Sequence, residues 1–146
     1  MSIPLKFQKE LKKISLEPIE GCNVLLNPDN GFNLTIILDG PPDTIFNGFK
    51  IKLDYTILPT YPFKPPIIKF TSKMFHPNIS ESGELCLDIL KDKWTPAYNL
   101  PTIIQSILSL LTDPNPDSAL NINAANLYKT DIQEYNNKVV TTLKSN

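Results

Sequence analysis

FKIKLDYTI, residues 49–57, alternates without a fault. Phe49, Ile51, Leu53, Tyr55 and Ile57 fall on one side, and Lys50, Lys52, Asp54 and Thr56 on the other. Successive side chains of an extended chain point to opposite faces, so this stretch reads as a strand with one buried and one wet face. An antiparallel sheet therefore lies at the centre of the chain. CNVLL (22–26) runs into the turn NPDNG, and FNLTIIL (32–38) runs into DGPP, both clusters of residues that interrupt regular structure. IIKF (67–70) supplies a shorter fourth strand after the stiff loop PTYPFKPP (59–66), which carries Tyr61 and Phe63. Four strands in succession predict a meander.

Helical patterns flank the sheet. Ser2 with Pro4 just behind it predicts a helix start, and Phe7, Leu11 and Ile14 follow at helical spacing. Glu17-Pro18 ends that helix, because the residue before proline is pushed out of the α region. Lys6, Lys9 and Lys13 share its other side, and a solvated face is their simple reading. Residues 71–99 show no strand pattern and one helical turn at LDIL, and such long irregular segments are often functional. Asn99 then caps a helix with Pro101 in its first turn, and Ile103, Ile104, Ile107, Leu108 and Leu111 give it a wide apolar face. DPNPDS (113–118) breaks it, and shorter helices are predicted over 121–128 and from about Asp131 to Leu143. The order predicts one α+β domain over 1–146: an N-terminal helix, a four-stranded antiparallel meander sheet, a long loop and C-terminal helices.

Composition narrows the chemistry. With 41% apolar and 20% charged residues the chain has the make-up of a soluble globular domain, and its net charge of −1 gives no global pull toward nucleic acid. All basic residues are lysine, and Asn and Ile abound, a bias read as genomic and not functional. Two cysteines and one histidine cannot by themselves complete a four-ligand zinc site. The lysine-rich start MSIPLKFQKEL has no apolar signal core, and the longest apolar stretch, IIQSILSLL (103–111), is too short to span a bilayer. Ser2 is not a myristoylation glycine, and the tail LKSN carries no prenylation box. The expectation is a cytoplasmic or nuclear protein with reduced thiols and no membrane anchor.

The five glycines form no phosphate-binding loop, and the nucleophile elbow of serine hydrolases is absent. Asp113 and Asp117 flank prolines in a turn, where aspartate is expected for backbone reasons. The thiols remain. Cys22 opens a strand and reads as a packing residue, whereas Cys86 lies in the long loop after the flexible Ser82-Gly83. For Cys86 both a buried, inert thiol and a nucleophile stay open. His76 is a formal partner for a papain-like pair, but His76-Pro77-Asn78 reads as a turn in which the imidazole bonds local backbone. Asn78 offers an amide donor suited to an oxygen that becomes negative when a carbonyl is attacked. A thiol beside an amide donor, without a base, suits transfer between thioesters.

At HPN-x(7)-C-L-x-I-L the sequence resembles ubiquitin-conjugating enzymes, and the resemblance extends from about Leu5 to Leu143. KFQKEL resembles the family's first helix, DGPPDTIFNG its turn after the second strand, and YPFKPPIIKF its proline loop. KMFHPNISESGELCLDILKDKWTPAY resembles its active-site segment, and DPNPDSAL and YKTDIQEYN its last helices. The resemblance implies that Cys86 accepts the C-terminal glycine of ubiquitin from an activating enzyme as a thioester and yields it to a substrate lysine or a ligase cysteine. Asn78 would stabilise the oxyanion or order the nearby loop, and Asp88 would position and deprotonate the incoming lysine. Phe63, Pro96 and Ala97 match the two loops that dock RING, U-box and HECT ligases, and Lys6 and Lys9 match positions that meet the activating enzyme. Trp94 reads as structural, shaping the loop behind the cysteine. No metal or nucleotide cofactor is implied, because ATP is consumed by the activating enzyme.

Three positions depart from the family pattern. Ser118 replaces an acidic residue often found near the active site, with Asp117 just before it; lysine activation would then rely on Asp88. Gln105 stands where relatives usually have an apolar residue that packs the donor ubiquitin, which predicts a less stable closed state. Asn23 stands where some broad-specificity members have a serine on the back of the sheet, so noncovalent ubiquitin binding there has no support from the resemblance. CLDILKDKWTPA is similar to short, single-domain members, including the type that works with a catalytically inactive partner of the same family, whereas YPFKPP and YKTDIQEYN resemble the broad-specificity type, and both stay open. Enzymes for other ubiquitin-like modifiers, a noncatalytic ubiquitin-binding scaffold, and a hydrolase using Cys86 with His76 are the competing readings.

Overall fold

Strands β1 (Cys22–Leu26), β2 (Asn33–Asp39), β3 (Lys50–Thr56) and β4 (Ile67–Phe70) form one antiparallel sheet in that spatial order, the predicted meander. The computed structural model describes residues 2–146. Helix α1 (Leu5–Leu16) precedes the sheet, and α2 (Leu100–Thr112), α3 (Ile122–Thr130) and α4 (Ile132–Lys144) follow it. Register places Ile36 opposite Leu53 and Leu34 opposite Tyr55, so the alternating apolar residues of β2 and β3 share the core face. Phe7 of α1, Ile103, Ile104 and Ile107 of α2 and Tyr135, Val139 and Leu143 of α4 are buried in that same cluster. Each fully buried side chain of this size contributes about 1.5–3 kcal/mol of burial free energy, which makes this face the adhesive of the fold. On the wet face Asn33 Nδ2 donates to Asp54 Oδ1 (2.9 Å) and to Thr56 Oγ1 (2.8 Å), joining β2 to β3. Phe49 and Ile57 lie just outside β3 yet stay bonded, through Gly40 N–H to Phe49 O and Ile57 N–H to Phe32 O.

Helix α1 starts directly after Pro4, in keeping with the predicted helix start. Pro4 is the capping residue itself, with an extended ψ of 138°, and its carbonyl accepts the first helical bond from Gln8 N–H. The prediction for α2 fits the structure: Asn99 Oδ1 accepts from Thr102 N–H, and Pro101 fills a first-turn position whose N–H needs no partner. Asn121 and Asp131 cap α3 and α4 in the same way.

The segment between β4 and α2 is irregular but tied down. Phe70 N–H, at the end of β4, donates to Gly83 O, and Ser80 N–H donates to Glu84 O. Gly83 has φ of 92°, and a Cβ there would lie 2.1 Å from the Phe70 carbonyl oxygen. Only glycine lets the chain pass this close to β4 while turning back toward Cys86.

Candidate active site

His76 is fully buried, and its two ring nitrogens are both occupied by backbone. Nδ1 accepts from Asn78 N–H at 3.0 Å, which leaves the proton on Nε2 to be donated to Leu110 O at 2.8 Å. Burial holds its pKa down at about 4, so the ring is neutral and joins the loop to the C-terminal half of α2. The imidazole bonds backbone, as the turn reading expects, and it has no free nitrogen to serve a thiol in the competing Cys–His reading.

Asn78 is 1% exposed, and its side chain is used completely. Nδ2 donates to Asn115 O (2.7 Å) and Ser118 O (3.1 Å), while Oδ1 accepts from Asn115 N–H (2.8 Å). Its backbone carbonyl accepts from Cys86 N–H at 2.9 Å. One residue therefore joins the 115–118 turn to the cysteine. With both amide hydrogens on carbonyls, this arrangement leaves none aimed at a reacting oxygen.

Cys86 is half-buried on a cleft of about 340 Å³, together with Asn78, Asp88, Lys91, Asn115 and Ser118. Asp88 opens the short 3-10 turn Asp88–Leu90, where its carbonyl accepts from Lys91 and Lys93 N–H. Its carboxylate lies 3.5 Å from Lys93 Nζ, with both groups largely exposed, so the pair holds it only weakly. Ser118 sits on the rim of the cleft, and Asp117 turns away to pair with Lys129 on α3 at 3.1 Å. Cys22 is half-buried on β1, and burial pushes its thiol up to about 11, which leaves it protonated and unreactive.

The two loops matched to ligase docking are held side by side. Trp94 Nε1 donates to Pro62 O at 2.9 Å, Phe63 is 78% exposed, and Pro96 and Ala97 are exposed as well. Lys9 and Lys13 stand in solvent as expected, but Lys6 does not. Its ammonium donates to Pro96 O and to Tyr98 O (2.7 Å) and lies 5.9 Å from the Tyr61 ring centroid, so α1 grips the second loop. The solvated-face reading is corrected for this residue.

Glu10 is the important side chain that sequence reasoning missed. It is buried, with Oε2 accepting from Tyr61 O–H at 2.6 Å and Oε1 from Leu100 N–H at 2.8 Å. Burial pushes its carboxyl above the usual range, against the pull of those two hydrogen bonds and of Lys6. The signal was present: Phe7, Glu10 and Ile14 are spaced by three and four, which puts the acid in the apolar stripe of α1. Gln105 is exposed on α2, and Asn23 is exposed on β1 opposite Ile37.

The chain matches the family model for ubiquitin-conjugating enzymes over residues 6–143. It is 43% identical over 147 residues to "Ubiquitin-conjugating enzyme E2 2" of Mycosarcoma maydis, covering 99% of this chain and 80% of the relative. The protein of that name in Neurospora crassa is 40% identical over 139 residues, covering 95% and 92% of the two chains. "Ubiquitin-conjugating enzyme E2 3" of Arabidopsis thaliana is 41% identical over 131 residues, covering 90% and 87%. Given this match along almost its whole length and the sheet, loop and helices described above, the chain belongs to the ubiquitin-conjugating enzyme family and is a ubiquitin transferase.

Proposed function

We propose that Cys86 carries the C-terminal glycine of ubiquitin as a thioester, received from the activating enzyme and passed to a substrate lysine or a ligase cysteine. The observation that carries this reading is the cleft itself: a half-buried thiol beside an ordered turn and a carboxylate, with its nearby histidine fully committed to backbone. In the transfer to lysine the amine nitrogen attacks the thioester carbonyl, the new C–N bond forms, and the C–S bond breaks to release the Cys86 thiolate. The ammonium proton leaves to Asp88 or to water. Because the acyl group arrives already activated, placement and charge stabilisation suffice and no strong base is required.

In this reading Asn78 orders the 115–118 turn over the thioester, and Asp88 positions the incoming lysine. Lys9 and the α1 surface around Lys6 meet the activating enzyme, and Phe63, Pro96 and Ala97 dock RING, U-box or HECT ligases. Three exposed apolar side chains on otherwise polar loops favour that last assignment. The chemistry needs no cofactor held by this chain, since ATP is consumed upstream. The two free cysteines fit a reducing, cytoplasmic or nuclear location.

The test mixes the protein with activating enzyme, ATP and ubiquitin and resolves the products on a nonreducing gel. A band shifted by one ubiquitin, lost with reductant, absent in Cys86→Ala and resistant to reductant in Cys86→Ser, is the expected result. A shifted band that persists in Cys86→Ala, or none at all, would sink the carrier reading.

A further inference from the structure

A second groove, of about 520 Å³, lies beside β4 between the proline loop and residues Glu84, Leu85, Leu90 and Lys91 on either side of Cys86 in the chain. Its floor includes Pro66, Ile68 and Leu90, and its walls carry Lys64, Lys69 and Lys91 against the single acid Glu84. All three lysines are exposed, and among the described residues none of them is in an ion pair. Lys91 lines both this groove and the Cys86 cleft, so the two are neighbours that meet at this side chain. On a chain with net charge −1, a concave apolar strip edged by three uncommitted cations is a local exception.

We propose that this groove receives an acidic, partly apolar segment of the protein substrate, next to the lysine being modified. The proposal rests on the transfer reading above. Charge decides the occupant: three ammonium groups flanking an apolar floor attract a segment with glutamates or aspartates between apolar residues and repel a basic one. Position decides its role, because a chain lying in the groove reaches the cleft at Lys91 and delivers a neighbouring lysine to Cys86. The enzyme thereby contributes a substrate preference of its own, separate from whatever the ligase selects.

The test uses a fluorescent peptide with one lysine followed by alternating Glu and Leu, and a control with Gln for every Glu. Binding to the unloaded protein is followed by anisotropy at low and high salt. The Glu peptide binds more tightly than the Gln control, and the difference shrinks with salt. A Lys64→Glu/Lys69→Glu double variant, changed only at exposed positions, weakens it about tenfold. In single-turnover discharge of the loaded enzyme, the ratio of transfer to this peptide over transfer to free lysine falls by a similar factor.

Equal affinity for the Glu and Gln peptides, or an unaltered ratio in the double variant, would overturn the proposal. Tight binding of an acidic peptide with no gain in discharge would also overturn it, assigning the groove to a ligase or another acidic partner. A protein that takes no ubiquitin onto Cys86 fails the transfer reading alone, because the anisotropy titration still decides the groove.

Discussion

Asn78 and Asn115 are bound to each other at two points: the Asn78 amide accepts from Asn115 N–H at 2.8 Å and donates to Asn115 O at 2.7 Å. A single side chain thus imitates one rung of a sheet, and it does so between segments 37 residues apart. The second amide hydrogen extends the hold to Ser118 O at 3.1 Å. Removing the amide leaves the Asn115 N–H and two carbonyls, all in part-buried bonds, short of partners. Asn78→Ala is therefore expected to lower stability by about 2–4 kcal/mol, read as a shift of the urea midpoint. Asn78→Asp is expected to lose at least as much, because a carboxylate faces two carbonyl oxygens it cannot serve. Both variants should still accept ubiquitin on Cys86 and discharge it to lysine more slowly. A variant as stable as the parent would contradict the ordering role.

His76 gives the fold a pH dependence whose sign follows from its burial. Its pKa is lowered from an ordinary 6.5 to about 4, so the native state binds this proton less readily than the unfolded chain does. Stability from this group is complete above pH 6.5, falls as the pH drops, and levels off below about 4, for a loss of about 3 kcal/mol. A His76→Gln variant should be less stable than the parent at pH 7.5, with the gap narrowing toward pH 4.5. The comparison is of urea midpoints across that range, and a constant gap would refute it. The difference between the two proteins isolates His76 from the carboxylates that titrate in the same window.

The contrast between these two residues and Glu10 shows what the sequence made legible. Strand alternation in residues 49–57 and the breaker clusters around it were sufficient for the sheet, because period and turn chemistry are local properties. The Asn99 cap and the Pro101 first-turn position were local in the same sense. Loop 71–99 was readable only as irregular, since its order comes from bonds to distant carbonyls such as Leu110 O and Ser118 O. Lys6 was misread as solvated for the same reason: its acceptors are 90 and 92 residues away. Glu10 sat in the apolar stripe of α1, but nothing nearby announced Tyr61 and Leu100 as its partners.

Glu10 couples α1 to the proline loop through one short hydrogen bond, which a double-mutant cycle can measure. Tyr61→Phe removes the hydroxyl that donates to Oε2 at 2.6 Å and should cost about 1.5–3 kcal/mol, the range for a bond to a charged group. In a Glu10→Gln background the same change should cost less, because the acceptor is no longer ionised. The raised pKa also means that folding disfavours the ionised acid, so acidification relieves a penalty that Glu10→Gln removes outright. The urea midpoint of Glu10→Gln should therefore gain less from lowering the pH toward 4.5 than that of the parent. Equal costs for Tyr61→Phe in both backgrounds would mean that the pair is not coupled.

Gln105 tests the closed state. It is exposed on α2, where the family resemblance expects an apolar residue packed against the donor ubiquitin. A polar amide there gains little from being covered, whereas a leucine loses apolar surface to the solvent-free interface only when ubiquitin folds back onto the enzyme. Partial burial of such a side chain contributes about 1 kcal/mol, which corresponds to roughly fivefold in the population of that state. Gln105→Leu is therefore expected to speed discharge of ubiquitin from Cys86 to free lysine several-fold in the presence of a RING ligase. Loading by the activating enzyme should change much less, because it does not require the closed state. Discharge no faster than the parent's would show that Gln105 does not face the donor ubiquitin, or that closure does not limit the transfer.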